Sequence, residues 1–320
     1  KKILSPAGDF NFDYDELSRR VYISYPNGVV GNLSYNSVSS LDEIKYSSGG
    51  TTLSLLKYFY DNLGNVTKIE NVSNYIYDSL SRLSGAIYTG VPLPFEFYIY
   101  NNVGNRESSH LSSFYSYDNA DRLLEDSNYI YIWDEDGNLK ERTQKLTSDK
   151  MKFIHNAENQ LVAIEFPNGT SVVYGYDAFG RRIFKKFPSA TTYFVYDRED
   201  IILEFDNMGN LIKQYIHGPY IDEPLAVIKN TDKLYYHRDR LGSVMFLTDG
   251  WGNKIEEYIY NSFGNVIVKP ILPKNINNPY TYTARELDKE SGLYYYRARY
   301  YDASIGRFLE EDPLSLQNVR

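Results

Sequence analysis

A short motif that returns along the chain constrains its fold more than any other feature. Each copy has an aromatic residue, Asp or Asn, two variable residues, a Gly or small or polar substitute, then Arg or Asn before an alternating hydrophobic segment. Copies are about 16 to 23 residues apart in the middle of the chain, a spacing typical of repeat proteins. The ten copies begin at Tyr14, Tyr60, Tyr77, Tyr100, Tyr117, Trp133, His155, Tyr176, Phe205 and Tyr260.

Each copy predicts a β-hairpin. Strands such as "NYIYIW" precede the motif with period-2 alternation, and the Asp can bond forward to backbone N–H groups while Gly accepts a positive φ. A hairpin of about 20 residues cannot bury its own apolar face, so successive hairpins should pair edge to edge. The sequence therefore predicts an all-β fold built on one long antiparallel sheet, with a ladder of Tyr on one face and polar side chains on the other.

The 33 Tyr residues fit this fold, because the flat ring packs on a pleated face while its hydroxyl reaches a partner. The Tyr array is therefore interpreted as structural and not as a surface for stacking sugars or cofactors. Two short helices are predicted, around Leu41 and Glu286. The segments that start at Tyr88 and His217 contain Pro and are expected to interrupt the strip as edges or insertions.

Composition excludes several functions. A net charge of −8 argues against nucleic acid binding, and no apolar run reaches the roughly 18 residues of a membrane span. One Asp per repeat, with Arg a few residues later, indicates turn caps and local ion pairs, so neither a metal nor a cofactor is expected. The chain lacks Cys and opens without Met in a patterned segment, which suggests a piece of a longer protein.

Two carboxyl-terminal segments are more specific than the repeat. They are "LYYHRDRLGSVMFLTDGWGNKIEEYIYNSFGNVIV" from Leu234 and "LDKESGLYYYRARYYDASIGRFLEEDPLSL" from Leu287. With the repeat, they resemble the Rhs/YD-repeat proteins, and the second segment looks like the Rhs-associated core domain. The resemblance implies hairpin repeats over 1–233, a core domain over 234–316 and the start of a variable tail at 317–320. It also implies a sheet that spirals into part of a hollow shell closed by the core domain.

The family resemblance also carries an expected function. Relatives include bacterial polymorphic toxins, insecticidal toxin-complex components, wall-associated proteins and teneurins. This chain would be the carboxyl-terminal part of a secreted or cell-surface bacterial shell that encapsulates a toxic domain. Its partners would be the remainder of its own longer chain, or a companion shell subunit, and that toxic domain. The core would be at most an autoprotease that acts once on its own chain.

The family motif implies which residues cut the chain. Asp302 and Asp312 match its aspartates. Two adjacent carboxyls cannot both ionise cheaply, so one can keep its proton and donate to the carbonyl while the other activates water. Arg299 would hold one carboxylate or the developing oxyanion. Asp288 also matches a family aspartate, so the pair could be Asp288 with Asp312. "DPLSL" corresponds to Asp-Pro-x-Gly-Leu, with Ser in place of Gly, which puts the cut between Leu316 and Gln317.

Other interpretations stay open at this point. Arg299, Asp302 and Asp312 could form a buried, ion-paired cap without catalysis. The protein could be a non-catalytic surface scaffold or adhesin that binds a protein or glycan, or an orphan gene fragment. A strip of this length is also expected to be too short to close, which would leave its first strand and aromatic face exposed.

Overall fold

The structure is a computed structural model that describes residues 1–272 and 276–313. The described residues form three antiparallel sheets in which strands pair in chain order, so the predicted all-β class and long sheet of hairpins are confirmed. The first sheet contains β1 Lys2–Ile3, β2 Phe10–Tyr14, β3 Arg20–Ser24, β4 Val29–Tyr35, β5 Leu41–Ser48, β6 Thr51–Tyr60, β7 Val66–Ile69, β8 Ser73–Tyr77, β9 Leu83–Tyr88, β10 Glu96–Tyr100 and β11 Arg106–Ser109.

The second sheet continues the same pattern and passes through residue 233 without a break. It contains β12 Tyr115–Tyr117, β13 Leu123–Asp126, β14 Tyr129–Trp133, β15 Leu139–Gln144, β16 Lys150–His155, β17 Leu161–Glu165, β18 Ser171–Tyr176, β19 Arg182–Phe187, β20 Ala190–Asp197, β21 Asp200–Phe205, β22 Leu211–His217, β23 Pro224–Lys229, β24 Asp232–Arg238, β25 Val244–Thr248, β26 Lys254–Tyr260 and β27 Val266–Pro270. The third, small sheet contains β28 Glu286–Asp288, β29 Leu293–Tyr295, β30 Tyr300–Asp302 and β31 Arg307–Phe308, preceded by a 3-10 turn at Tyr282–Ala284.

One turn geometry recurs at every predicted copy. In the copy at Tyr77, the Asp78 carboxylate accepts the N–H groups of Leu80 and Arg82 at 2.9 Å, and Ser81 has φ +59°. The same turn also forms at three positions that the sequence analysis missed, capped by Asn36, Asp239 and Asp249. Two of these three lack the leading aromatic residue, which hid them from the motif search.

In most copies the leading aromatic residue connects consecutive hairpins. The Tyr100 hydroxyl donates to the carbonyl of Leu83 at 2.8 Å, and the Tyr117 hydroxyl donates to that of Arg106 at 3.0 Å. Both acceptors lie at the same place in the preceding hairpin, just after its turn. A regular hydroxyl–carbonyl bond explains why most copies of the motif begin with Tyr and supports the structural interpretation of the array.

The opposite face of the sheet is less polar than predicted. Ile76, Ile87 and Ile99 on three neighbouring strands are each 44% to 52% exposed. Burial of the Tyr face alone is enough to fix the register, since a one-residue slip would move every Tyr to the other face.

The expected exposure of the aromatic face is wrong, because the first sheet packs against the second, although β1 stays the outermost strand of its sheet. Phe10 and Phe12 are fully buried in a cluster with Tyr235 and Phe246. The Tyr235 hydroxyl donates to the carbonyl of Ala7 at 2.8 Å. The two sheets therefore cover each other's aromatic side chains.

Both predicted helices are also wrong. Leu41 opens β5, where Ile44 and Tyr46 point into the core and Glu43 and Lys45 point out, a period of two that outweighs the helical propensity of Glu and Lys. Glu286 opens β28. The segment after Tyr88 is a loop at 89–95 between two strands that still pair, and the segment after His217 is a loop at 218–223.

Candidate functional site

The site is built by the terminal unit, defined here as residues 280–313. Its small sheet pairs Asp288 with Leu293 and Leu293 with Asp302, so the two aspartates flank the same leucine on one face. Leu293 is fully buried in a cluster with residues of β13 to β18. This face of the terminal unit therefore packs on the second sheet, and it places the carboxylates of Asp288 and Asp302 against that sheet.

Asp288 is held by two cations of β19. Its oxygens lie 2.6 Å from an Arg182 guanidinium nitrogen and 2.9 Å from the Lys185 ammonium. Arg182 and Asp288 are each 1% exposed, and the Arg182 guanidinium also stacks over Tyr295. Although burial opposes ionisation, Arg182 and Lys185 together hold the pKa of Asp288 below its usual value. Asp288 is therefore an anion in a buried ion pair.

Asp302 has a different partner. Its Oδ2 lies 2.5 Å from Arg142 of β15, and its Oδ1 accepts the backbone N–H of Ser304 at 2.8 Å. Asp288 and Asp302 are thus bound to cations of separate strands.

Arg299 and Asp312, which the family motif indicated as site residues, lie next to each other in the structure. Arg299 lies 2.9 Å from the Asp312 carboxylate and stacks over Phe308 at 3.8 Å from the ring centroid. The Asp312 side chain is 47% exposed, so water reaches it. The predicted cleavage residues Leu316 and Gln317, with Ser315, lie outside the described residues.

The sequence analysis missed a second pair at this site. Glu310 is 6% exposed, with Oε1 3.3 Å from Nε2 of His155 and Oε2 accepting the backbone N–H of Tyr300 at 2.8 Å. Burial raises the pKa of Glu310, against the opposing effects of His155 and Arg299. The signal in the sequence was His155 itself, which stands where most copies of the motif have Tyr.

Glu310 and Asp312 line one cavity of about 360 Å³. Trp133 and Gly137 of the second sheet also line it, and the N–H of Leu139 donates to the carbonyl of Leu309 at 2.8 Å. Gly137 has φ +82°, and an added Cβ there would displace the Glu311 side chain, whose carboxylate lies 2.5 Å from that position. No group of three or more His, Cys, Asp or Glu side chains within 1–272 and 276–313 could hold a metal ion.

The architecture is that of a repeat protein: a curled strip of hairpins onto which a terminal unit docks through buried ion pairs. The chain belongs to the teneurin YD-shell family, whose family model matches residues 3–320. That membership confirms the resemblance to the Rhs/YD-repeat proteins. Among the described residues, no helix is both long and apolar enough to cross a membrane.

Similar proteins include nucleases that are much longer than this chain. The chain is 30% identical over 190 residues to "tRNA nuclease WapA" of Bacillus subtilis, which covers 59% of the chain and 7% of that protein. It is 24% identical over 282 residues to "Probable deoxyribonuclease RhsB" of Dickeya dadantii, 81% of the chain and 19% of that protein. The crystal structure of TcdB2-TccC3 matches with a TM-score of 0.66 at 19% identity, over 95% of the chain and 18% of that chain, and shares the fold.

Proposed function

We propose that this chain is the carboxyl-terminal part of a bacterial toxin shell, which encloses a toxic carboxyl-terminal domain and releases it by aspartate-dependent self-cleavage after Leu316. The observation that carries the proposal is the Asp312–Arg299 pair beside an open cavity, immediately before the residues of the predicted cut. Names of relatives that act as nucleases support a toxic cargo. The shell would comprise repeats over 1–233 and a core over 234–316, with the tail starting at 317.

In this mechanism Asp312 is the base. Its partly exposed carboxylate, held by Arg299, takes a proton from water as the water oxygen attacks the Leu316 carbonyl carbon. The bond to the Gln317 nitrogen then breaks, and that nitrogen needs a proton to leave. Asp302 and Asp288 orient the terminal unit on the second sheet through Arg142 and Arg182. In the pair that the motif indicates first, Asp302 would share a proton with Asp312, and in its alternative Asp288 would do so.

The test uses this chain extended by a reporter domain after Arg320. Intact mass is measured over time for the wild type, Asp312→Asn and Asp302→Asn, with the exposed turn variant Asp136→Asn as the control. We expect a cut after Leu316 in the wild type and control, and no cut in Asp312→Asn. A wild type that stays uncut would refute the self-cleavage proposal.

A second candidate is a non-catalytic surface scaffold closed by the terminal unit. It is favoured by the ion pairs of Asp288 and Asp302, which account for both aspartates without any chemistry. In that case the chain stays uncut, and binding to a glycan array should disappear when an outward aromatic side chain such as Tyr193 is replaced by Ala.

A further inference from the structure

Cleavage by two carboxyl groups needs one of them to keep its proton. The family aspartates do not meet this need here. Asp288 is held ionised by Arg182 and Lys185, and Asp302 lies in an ion pair with Arg142. The Arg182 guanidinium at 2.6 Å favours the charged form of Asp288, while the two oxygens of Asp302 are taken by Arg142 and by the Ser304 N–H. A carboxyl group that holds a proton before the water attacks is therefore to be sought elsewhere at the site.

Glu310 has the surroundings of a proton-holding carboxyl. It lies two residues before Asp312, is buried, and lines the same cavity. No Arg or Lys lies within ion-pair distance of it among the described residues, and its two oxygens face the His155 ring and the Tyr300 N–H. Burial raises its pKa, which keeps the proton in place at higher pH than for an exposed Glu.

His155 is the second half of this arrangement. Its side chain is 4% exposed and its Nε2 is the ring atom that faces Glu310. At the equivalent position of other copies, Tyr donates to a backbone carbonyl of the preceding hairpin. The substitution of His turns a structural hydroxyl into a ring that can share one proton with a buried carboxyl.

We propose that Glu310 is the proton donor of the self-cleavage and that His155 is the residue that positions its proton. The inference rests on the proposed function. Water is the co-reactant: its oxygen bonds to the Leu316 carbonyl carbon, its proton passes to Asp312, and the Glu310 proton passes to the Gln317 nitrogen as the peptide bond breaks. Arg299 contacts Asp312 and lowers the pKa of Glu310, so it couples the two carboxyls.

The groups around Glu310 determine the sign of the pH dependence. They are His155 on β16, Tyr176 on β18, and Tyr300 and Arg299 in the terminal unit. Cleavage should decline in alkali as Glu310 loses its proton, and burial places that decline at higher pH than for an exposed Glu. Because His155 lowers the pKa of Glu310, its removal should move the alkaline decline to higher pH.

The experiment measures the cleavage rate of the reporter-extended chain from pH 4 to pH 9. Glu310→Gln should cut about 100-fold more slowly, the scale of general acid catalysis, and should lack the alkaline decline. Glu310→Asp should recover part of the rate. His155→Phe should cut more slowly than the wild type, because the proton of Glu310 is no longer positioned, and should shift the decline upward. Glu158→Gln, an exposed residue of the turn after His155, is the matched control and should behave as the wild type.

The outcomes separate this inference from the function on which it rests. If the wild type is cut, Asp312→Asn is not, and Glu310→Gln keeps the wild-type rate and pH profile, the proton-donor role is wrong and self-cleavage stands. An uncut wild type refutes both. If Glu310→Gln fails to fold by circular dichroism, the His155→Phe profile decides: an unshifted alkaline decline overturns the inference.

Discussion

Replacing Asp288 by Asn removes the negative charge that holds a buried arginine in place. Arg182 is 1% exposed, and Asp288 is its one carboxylate at hydrogen-bond distance among the described residues. Loss of one partner of a buried ion pair leaves an uncompensated charge and costs about 3–5 kcal/mol. Domains of ordinary stability unfold at a cost of about 5–15 kcal/mol, so this single change should remove at least about a fifth of the stability.

Urea denaturation followed by circular dichroism measures the loss. The control is Glu165→Gln, which breaks an exposed pair with Lys152 and should change the free energy of unfolding by less than about 0.5 kcal/mol. The double variant Arg182→Met with Asp288→Leu should be less destabilised than Asp288→Asn, because it removes both charges together. A loss below about 1 kcal/mol for Asp288→Asn would refute the reasoning.

The Arg182–Asp288 ion pair should also make the free energy of unfolding depend on pH. The pKa of Asp288 is lower in the folded chain than in the unfolded chain, where an Asp titrates near about 3.9. Its stabilisation is therefore fully present above that pH and is lost as the pH falls through the folded pKa. Asp288→Asn should lack this part of the acid sensitivity, which denaturation curves at pH 7 and pH 3 would reveal.

Three further changes test the repeat and its closure. Gly209→Ala, at φ +80° in open space, should cost about 1–2 kcal/mol from backbone strain alone, whereas Gly250→Ala should be near neutral in the same thermal melt. Tyr100→Phe removes a hydroxyl that donates to the preceding hairpin and should cost about 0.5–1.5 kcal/mol in urea; no loss would refute the ladder's role. Glu223→Gln weakens the buried ion pair with Arg20, so limited proteolysis should cut the first sheet sooner; unchanged protection would contradict that closure.

Regularity made most of the fold predictable. Asp followed by a positive-φ residue has only one common turn to form, and ten copies of it specify the strands between them. Asp239 escaped detection because Arg precedes it, yet its carboxylate caps the same turn. The turn therefore depends on the Asp or Asn side chain, whereas the aromatic residue before it forms the contact with the preceding hairpin.

The closure of the strip and the site were harder to predict, since both depend on contacts between distant residues. Arg20 meets Glu223, and Arg142 meets Asp302, across separations that no local pattern encodes. Family resemblance identified Asp302 and Asp288 as catalytic candidates without revealing the cations that hold them. The roles of Asp302 and Asp288 in cleavage stay predictions. The roles of Asp312 and Arg299, which lie side by side in the structure, stay predictions too.

Departures from the repeat are informative about the site. Three of the ten predicted copies begin with an aromatic or ring residue other than Tyr: Trp133, His155 and Phe205. Trp133 lines the cavity that contains Glu310, and His155 contacts Glu310 directly. Trp133 still donates its indole N–H to the carbonyl of Leu123 at 2.7 Å, whereas His155 contacts Glu310 in place of a backbone carbonyl. Two of the three exceptional copies therefore lie where the terminal unit docks, and His155 is the one whose bonding has changed.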